Sequence, residues 1–224
     1  MTDSGAGGGC CRCCCSFIIT SGLTALFMWL SLRTSNPTLS VESFYAAALN
    51  ASDAAARGNR TVFLDVKLAN SMKDKGVHYA NTTLTLSFYR RRRNSSSSSS
   101  DDGLIAVGDY AWPGFHQGHK KSTRRRALVG AAGVPWAEAR DAVAGGEGVG
   151  FRVRVATRVK FKIMFWYTKR HRLEVAGDVQ VDATGGKVGK KGVKLKSAAG
   201  LGGGGARGCF WFVCCFVVLI FHLN

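Results

Sequence analysis

The side chains with the widest chemical repertoire here are eight cysteines, and all lie near the two ends: Cys10, Cys11, Cys13, Cys14 and Cys15, then Cys209, Cys214 and Cys215. A thiolate can ligate zinc, close a disulfide or carry an acyl chain. No cysteine falls between residues 16 and 208, so no disulfide framework can hold the middle of the chain, which must rest on its own core. The run C-C-R-C-C-C has no second ligand pair downstream to complete a tetrahedral zinc site, and it abuts an apolar run. That context favours reversible palmitoylation of Cys10, Cys11, Cys13, Cys14 and Cys15. His116 and His119 place two imidazoles three residues apart with no third ligand nearby, which reads as a surface loop. Gly200 to Gly205 matches G-x-G-x-x-G letter for letter, but no βαβ unit surrounds it; Gly189-Lys190-Lys191 lacks the hydroxyl residue of a phosphate loop. Neither a nucleophile with a positioned base nor paired carboxylates appear as a motif, so no enzyme, cofactor or metal centre is expected.

Charge is the next signal. Lys and Arg number 31 against 14 Asp and Glu, a formal net charge of +17 that points to an anionic partner. Arg152, Arg154, Arg158, Lys160 and Lys162 alternate along one stretch, Lys120, Lys121 and Arg124 to Arg126 cluster in another, and Lys187, Lys190, Lys191, Lys194 and Lys196 in a third. Nucleic acid is the usual partner for such charge. The acceptor sequons at Asn50, Asn59, Asn81 and Asn94 instead place the domain outside the cytosol, where acidic cell-wall polysaccharide and anionic lipid are the candidates.

The elements that position these groups begin with two oily ends. Twenty uncharged residues separate Arg12 from Arg33, long enough at about 1.5 Å per residue for a helix to cross a bilayer. A cleaved signal peptide is the rival reading; the length of the run and the lack of an A-x-A-like site favour an uncleaved anchor over 16–33, with residues 1–15 cytosolic. At the other end, the small residues Ser197 and Ala198, a Gly-rich spacer and the apolar run Cys209 to Leu223 have the layout of a lipid-anchor signal, with a retained tail as the alternative for 197–224.

Between them, residues 34–196 read as one all-β domain. Val149, Phe151, Val153, Val155, Val159, Phe161, Ile163 and Phe165 alternate with the basic residues above, which puts one set in a core and the other in water. The length of this run predicts a bend or bulge near Ala156-Thr157. Leu173, Val175, Val179 and Val181 repeat the pattern after a turn, and Val62 to Leu68 and Leu84 to Phe88 carry it upstream. About seven strands predict an antiparallel β-sandwich of immunoglobulin or fibronectin-III type. Short helical stretches are expected within Ala46–Ala56 and over Trp136–Val143. The Arg/Ser/Asp tract at 90–102 cannot bury apolar area and is expected to be a loop.

Three segments resemble one family. Asn70-Ser71-Met72-Lys73-Asp74-Lys75-Gly76-Val77-His78-Tyr79 is similar to the N-x-x-K-x-x-G-I-x-Y segment of harpin-induced-like proteins. Pro113-Gly114-Phe115-His116-Gln117-Gly118-His119-Lys120-Lys121 resembles the P-x-F-Y-Q-G-H-K-K segment of the non-race-specific disease-resistance branch, with His116 at the Tyr position. Arg158 to Trp166 followed by Thr168-Lys169-Arg170 completes the likeness. The resemblance implies a late-embryogenesis-abundant group 2 domain at the plant plasma membrane, acting in defence and stress signalling and in membrane-to-wall adhesion, with immune-signalling proteins as further candidate partners, and it brings no catalytic residues. The expected partner surface is Phe115, His119, Lys120 and Lys121 together with Arg152, Arg154, Arg158, Lys160 and Lys162. The alternative is a stress-protective protein that binds membrane or apolar ligands.

Overall fold

The computed structural model describes residues 7–32, 35–53, 55–91, 104–163 and 165–197. They fall into two compact units, Met1–Asn36 and Pro37–Asn224.

The first unit holds helix α1 (Gly7–Leu32). Ser16, Thr20, Ser21, Gly22 and Thr24 break up its apolar sequence, and the Thr20 and Thr24 hydroxyls turn back to donate to carbonyls of the preceding turn at 2.8–3.1 Å. Among the described residues, no helix is long and apolar enough to cross a membrane. The spanning helix expected over 16–33 is therefore corrected to a helix dotted with hydroxyls. The hydrophobic tail expected over 197–224 lies, beyond Ser197, outside the described residues, as do Asn94 and most of the tract at 90–102.

The second unit is antiparallel β, as the period-two pattern predicts. Its strands are β1 (Thr38–Ala46), β2 (Thr61–Ala69), β3 (Lys75–Tyr79), β4 (Thr82–Arg91), β5 (Ile105–Trp112), β6 (Phe115–Gln117), β7 (Ser122–Gly130), β8 (Gly148–Ile163), β9 (Trp166–Tyr167), β10 (His171–Val181) and β11 (Val193–Ser197). Two short 3-10 turns, Ala47–Leu49 and Ala55–Gly58, and helix α2 (Trp136–Ala144) sit where helical stretches were expected.

The sandwich does not survive as drawn. All eleven strands join one sheet in the order β5-β4-β8-β10-β11-β1-β2-β7, with β3, β6 and β9 attached off this path. The two end strands then meet: the Trp112 indole on β5 donates to the Arg126 carbonyl on β7 at 3.0 Å, and a Cβ built on Gly108 would stand 2.7 Å from the Gly130 oxygen. The result is a near-closed barrel rather than two face-to-face sheets, a way for an antiparallel sheet to bury its edges. Strand β8 also departs from expectation. It keeps continuous register with β10 through Ala156-Thr157, while its other neighbour changes from β4 to β3 at that point. The swap of neighbour takes the place of a bulge, and Thr157 takes an inward position bonded to the Thr82 hydroxyl at 3.0 Å.

Alternation decides what is buried. Val149, Phe151, Val153, Val155, Val159 and Phe161 of β8 are sealed in the core. Phe151 is a hub, with ring centroids of Phe44 at 5.0 Å, Phe88 at 5.5 Å and Trp136 of α2 at 6.4 Å. Burying each such aromatic contributes roughly 1.5–3 kcal/mol. The alternation ends at the turn after β8, where Phe165 leaves the core altogether at 94% exposure.

Candidate functional site

The basic face of β8 is built as its spacing predicts, and the hairpin with β10 then sorts its charges. Register sets Arg152 opposite Asp178 and Ala156 opposite Glu174. Arg152 Nε donates to Asp178 Oδ1 at 2.8 Å, and Arg154 lies 3.8 Å from Glu174. Glu174 is also paired to Arg172 at 2.9 Å. Arg158, Lys160 and Lys162 have no ion-pair partner among the described residues. The face thus divides into a compensated half near β4 and an uncompensated half alongside β3.

That second half borders an open cleft of about 720 Å³, lined by His78, Asn81, Arg158, Lys160, Arg170 and Arg172 among others. His78 stands opposite Lys160 across the β3–β8 pairing and opposite His116 across β3–β6, where the two imidazoles stack at 6.5 Å. Composition pointed to a basic face. It did not point to Arg170, Arg172 or His78 as its neighbours, because these arrive from β3, from the start of β10 and from the residue just before it, and only strand order brings them to β8. Cationic groups converging on a concavity, with no carboxylate in its lining, can hold an anion.

The motif segment 113–121 packs against the floor of this region. Phe115, partly buried, stacks on Tyr79 with centroids 4.7 Å apart and 16° between planes, and the Arg125 guanidinium lies 4.4 Å from its ring centre. Gln117 is buried at 2% exposure. Its amide nitrogen donates to the Leu68 and Lys121 carbonyls, both at 3.0 Å, and its oxygen accepts from the Tyr79 hydroxyl at 3.0 Å. Burial pushes the Tyr79 phenol far above its ordinary value, so it stays a donor. Asn70 ties the neighbouring loop in the same way, donating to Lys75 O at 2.8 Å and Gly118 O at 3.0 Å. His119, Lys120 and Lys121 are exposed. Lys120 adopts a left-handed conformation, φ 50°, held by its N–H on the Met72 carbonyl at 3.0 Å.

The modification candidates scatter. Asn59 is exposed, and its side-chain oxygen accepts from the Thr61 amide and hydroxyl. Asn50 is half-buried and donates to the Tyr45 hydroxyl at 3.1 Å. Asn81 lines the cleft and accepts from Gly114 N–H at 3.1 Å. Cys10, Cys11, Cys13 and Cys14 lie on α1, where Cys15 is exposed. Ser197 is exposed at the end of β11, and Ala198 lies outside the described residues. Among the described residues, no three His, Cys, Asp or Glu side chains gather to hold a metal ion.

Comparison with known proteins places this geometry. No protein-family model matches the chain. Over 183 residues it is 40% identical to Protein NDR1 of Arabidopsis thaliana, a match spanning 82% of this chain and 80% of that protein. The chain belongs to the NDR1/harpin-induced-like family of plant disease-resistance proteins. For this member of the NDR1/harpin-induced-like family, the first two of the three motif segments have a structural explanation. Asn70, Tyr79, Phe115 and Gln117 knit β3, β6 and the entry to β7 into the wall that backs the cleft.

Proposed function

We propose that this member of the family is a non-catalytic disease-resistance component of the plant plasma membrane whose β domain grips an acidic cell-wall polysaccharide. The observation that carries the reading is the convergence of Arg158, Lys160 and Arg170 on one cleft without carboxylate partners among the described residues. A polyuronide presents closely spaced carboxylates, each worth about 1 kcal/mol against a cation 4 Å away in water, and several such contacts sum. Attachment to the membrane rests on acylation of the cysteines at 10–15 and on lipid exchange near Ser197. An apoplastic orientation is supported by the exposed sequon at Asn59 and by Asn81. Of the stress-protective alternative, the apolar-ligand form draws no support from a cleft rimmed by cations, whereas the membrane-binding form is compatible with it.

The test is retention of the full-length, detergent-solubilised protein on de-esterified pectin across a salt series. Binding is expected to weaken steeply with salt, and R158E/K160E to weaken it at least about tenfold. R152E, on the compensated half, is the control and should change binding little. Equal retention of the wild type and R158E/K160E sinks the proposal.

A further inference from the structure

At the far end of β8 the third motif segment carries a surface that the cleft does not account for. Strand β8 turns back into β9 so that Lys162 pairs with Tyr167 and Ile163 with Trp166. The hairpin is tied at its base: Thr168 N–H donates to the Phe161 carbonyl at 2.9 Å, and the Phe161 N–H donates to the Thr168 hydroxyl at 3.0 Å. On its other side, Ile163 and Lys162 pair with Lys75 and Gly76 of β3. A hydrogen-bonded scaffold therefore presents three consecutive aromatic residues to solvent, Phe165 at 94%, Trp166 at 59% and Tyr167 at 53% exposure.

Such an apolar cluster on a braced hairpin calls for an occupant. Its chemistry selects one. Trp and Tyr combine an apolar ring with a polar N–H or O–H, the amphipathic character that settles at the headgroup level of a bilayer, and Phe165, the most exposed, has no polar atom to keep it in water. The flanking charges are Lys162 and Lys169, both exposed and without a carboxylate partner among the described residues. Cations beside an aromatic wedge complement lipid phosphates, and the apolar Phe165 ring fits the acyl side of the headgroup boundary.

We propose that the β8–β9 hairpin is a membrane-dipping tip: Phe165, Trp166 and Tyr167 enter the headgroup boundary of an anionic phospholipid bilayer, with Lys162 and Lys169 on its phosphates. This is a surface contact made by the β domain, separate from any attachment at the ends of the chain and from the polyanion cleft.

Because acylated or apolar ends can hold the whole chain on vesicles, the test must read the tip itself. Fluorotryptophan-labelled full-length protein is reconstituted into phosphatidylcholine vesicles with or without phosphatidylserine, and its fluorine spectrum is recorded with a nitroxide-bearing lipid or with a water-soluble paramagnet. The Trp166 resonance is identified by its loss in W166F. Loss of that signal with the lipid nitroxide in phosphatidylserine vesicles, and its return in K162Q/K169Q or in F165S, is expected. Broadening only by the water-soluble agent overturns the proposal, since the tip then stays in water. Protection from both agents overturns it in favour of a protein partner, including a second copy of this chain. Broadening by a spin-labelled polygalacturonate instead of lipid assigns the tip to the wall polymer. R158E/K160E should leave the Trp166 signal unchanged, which separates this outcome from failure of the cleft reading.

Discussion

Replacing Gln117 with Ala probes whether the motif segment is a structural strut. Gln117 is 2% exposed and satisfies the Leu68 and Lys121 carbonyls while accepting from Tyr79. Alanine removes these bonds and a fourth, to the Thr123 hydroxyl at 3.3 Å, and leaves the Tyr79 hydroxyl and the Leu68 carbonyl without this partner, while the Lys121 carbonyl keeps the Asn70 N–H. Each buried group orphaned costs about 1–3 kcal/mol, and partial solvation lowers the sum, so about 3–5 kcal/mol is expected. For a domain of this size each kcal/mol lowers the melting temperature by about 2–4 °C, which gives a fall of roughly 6–20 °C. Tyr79→Phe removes one hydroxyl and should cost only about 1–2 kcal/mol. Because the Q117A penalty includes the stranded Tyr79 hydroxyl, the double variant should cost less than the sum by about 1 kcal/mol. The assay is thermal and urea unfolding of the full-length protein in detergent, followed by circular dichroism. A Q117A melting temperature within about 2 °C of wild type, or strictly additive variants, would refute the account of the motif as a strut.

Closure of the barrel gives a second prediction. In G108A the new methyl meets the Gly130 backbone oxygen, which cannot swing aside, so destabilisation of about 1–3 kcal/mol by urea unfolding is expected. G130A, whose methyl meets nothing within 4 Å, should stay within about 0.5 kcal/mol of wild type. A third concerns acid. The Thr184 hydroxyl and the backbone N–H groups of the turn hold the Asp182 carboxyl below its ordinary value. Its contribution is present above the unfolded value near about 3.9 and is lost as pH falls through the lower folded one. Melting of the wild type should therefore fall more steeply than that of D182N below about pH 4; parallel curves would show that the turn contributes nothing.

Much of this molecule was legible one residue at a time. Alternation from Val149 to Phe161 identified a strand, its buried side and its basic side, because a period of two is a local property of extended backbone. The three motif segments identified the family through residue types alone. The cysteine-free middle showed that only packing could hold the domain.

What remained lies in contacts between residues far apart in the chain. Strand order, which turns an expected sandwich into a near-closed barrel, depends on β5 meeting β7, and no local pattern records which edges touch. The same holds for charge. Arg154 and Lys160 look alike in a row of alternating cations, yet Glu174 reaches only the first, and the hairpin register decides that. Phe165 sits on the inward parity, but the chain turns before reaching it, so an expected core residue becomes an exposed tip. Phe115 looked like a loop residue on offer to a partner; its stacking on Tyr79 and the burial of Gln117 show side chains that brace the loop. Local sequence determines which way a side chain points along its own strand, and only the fold determines what stands opposite it.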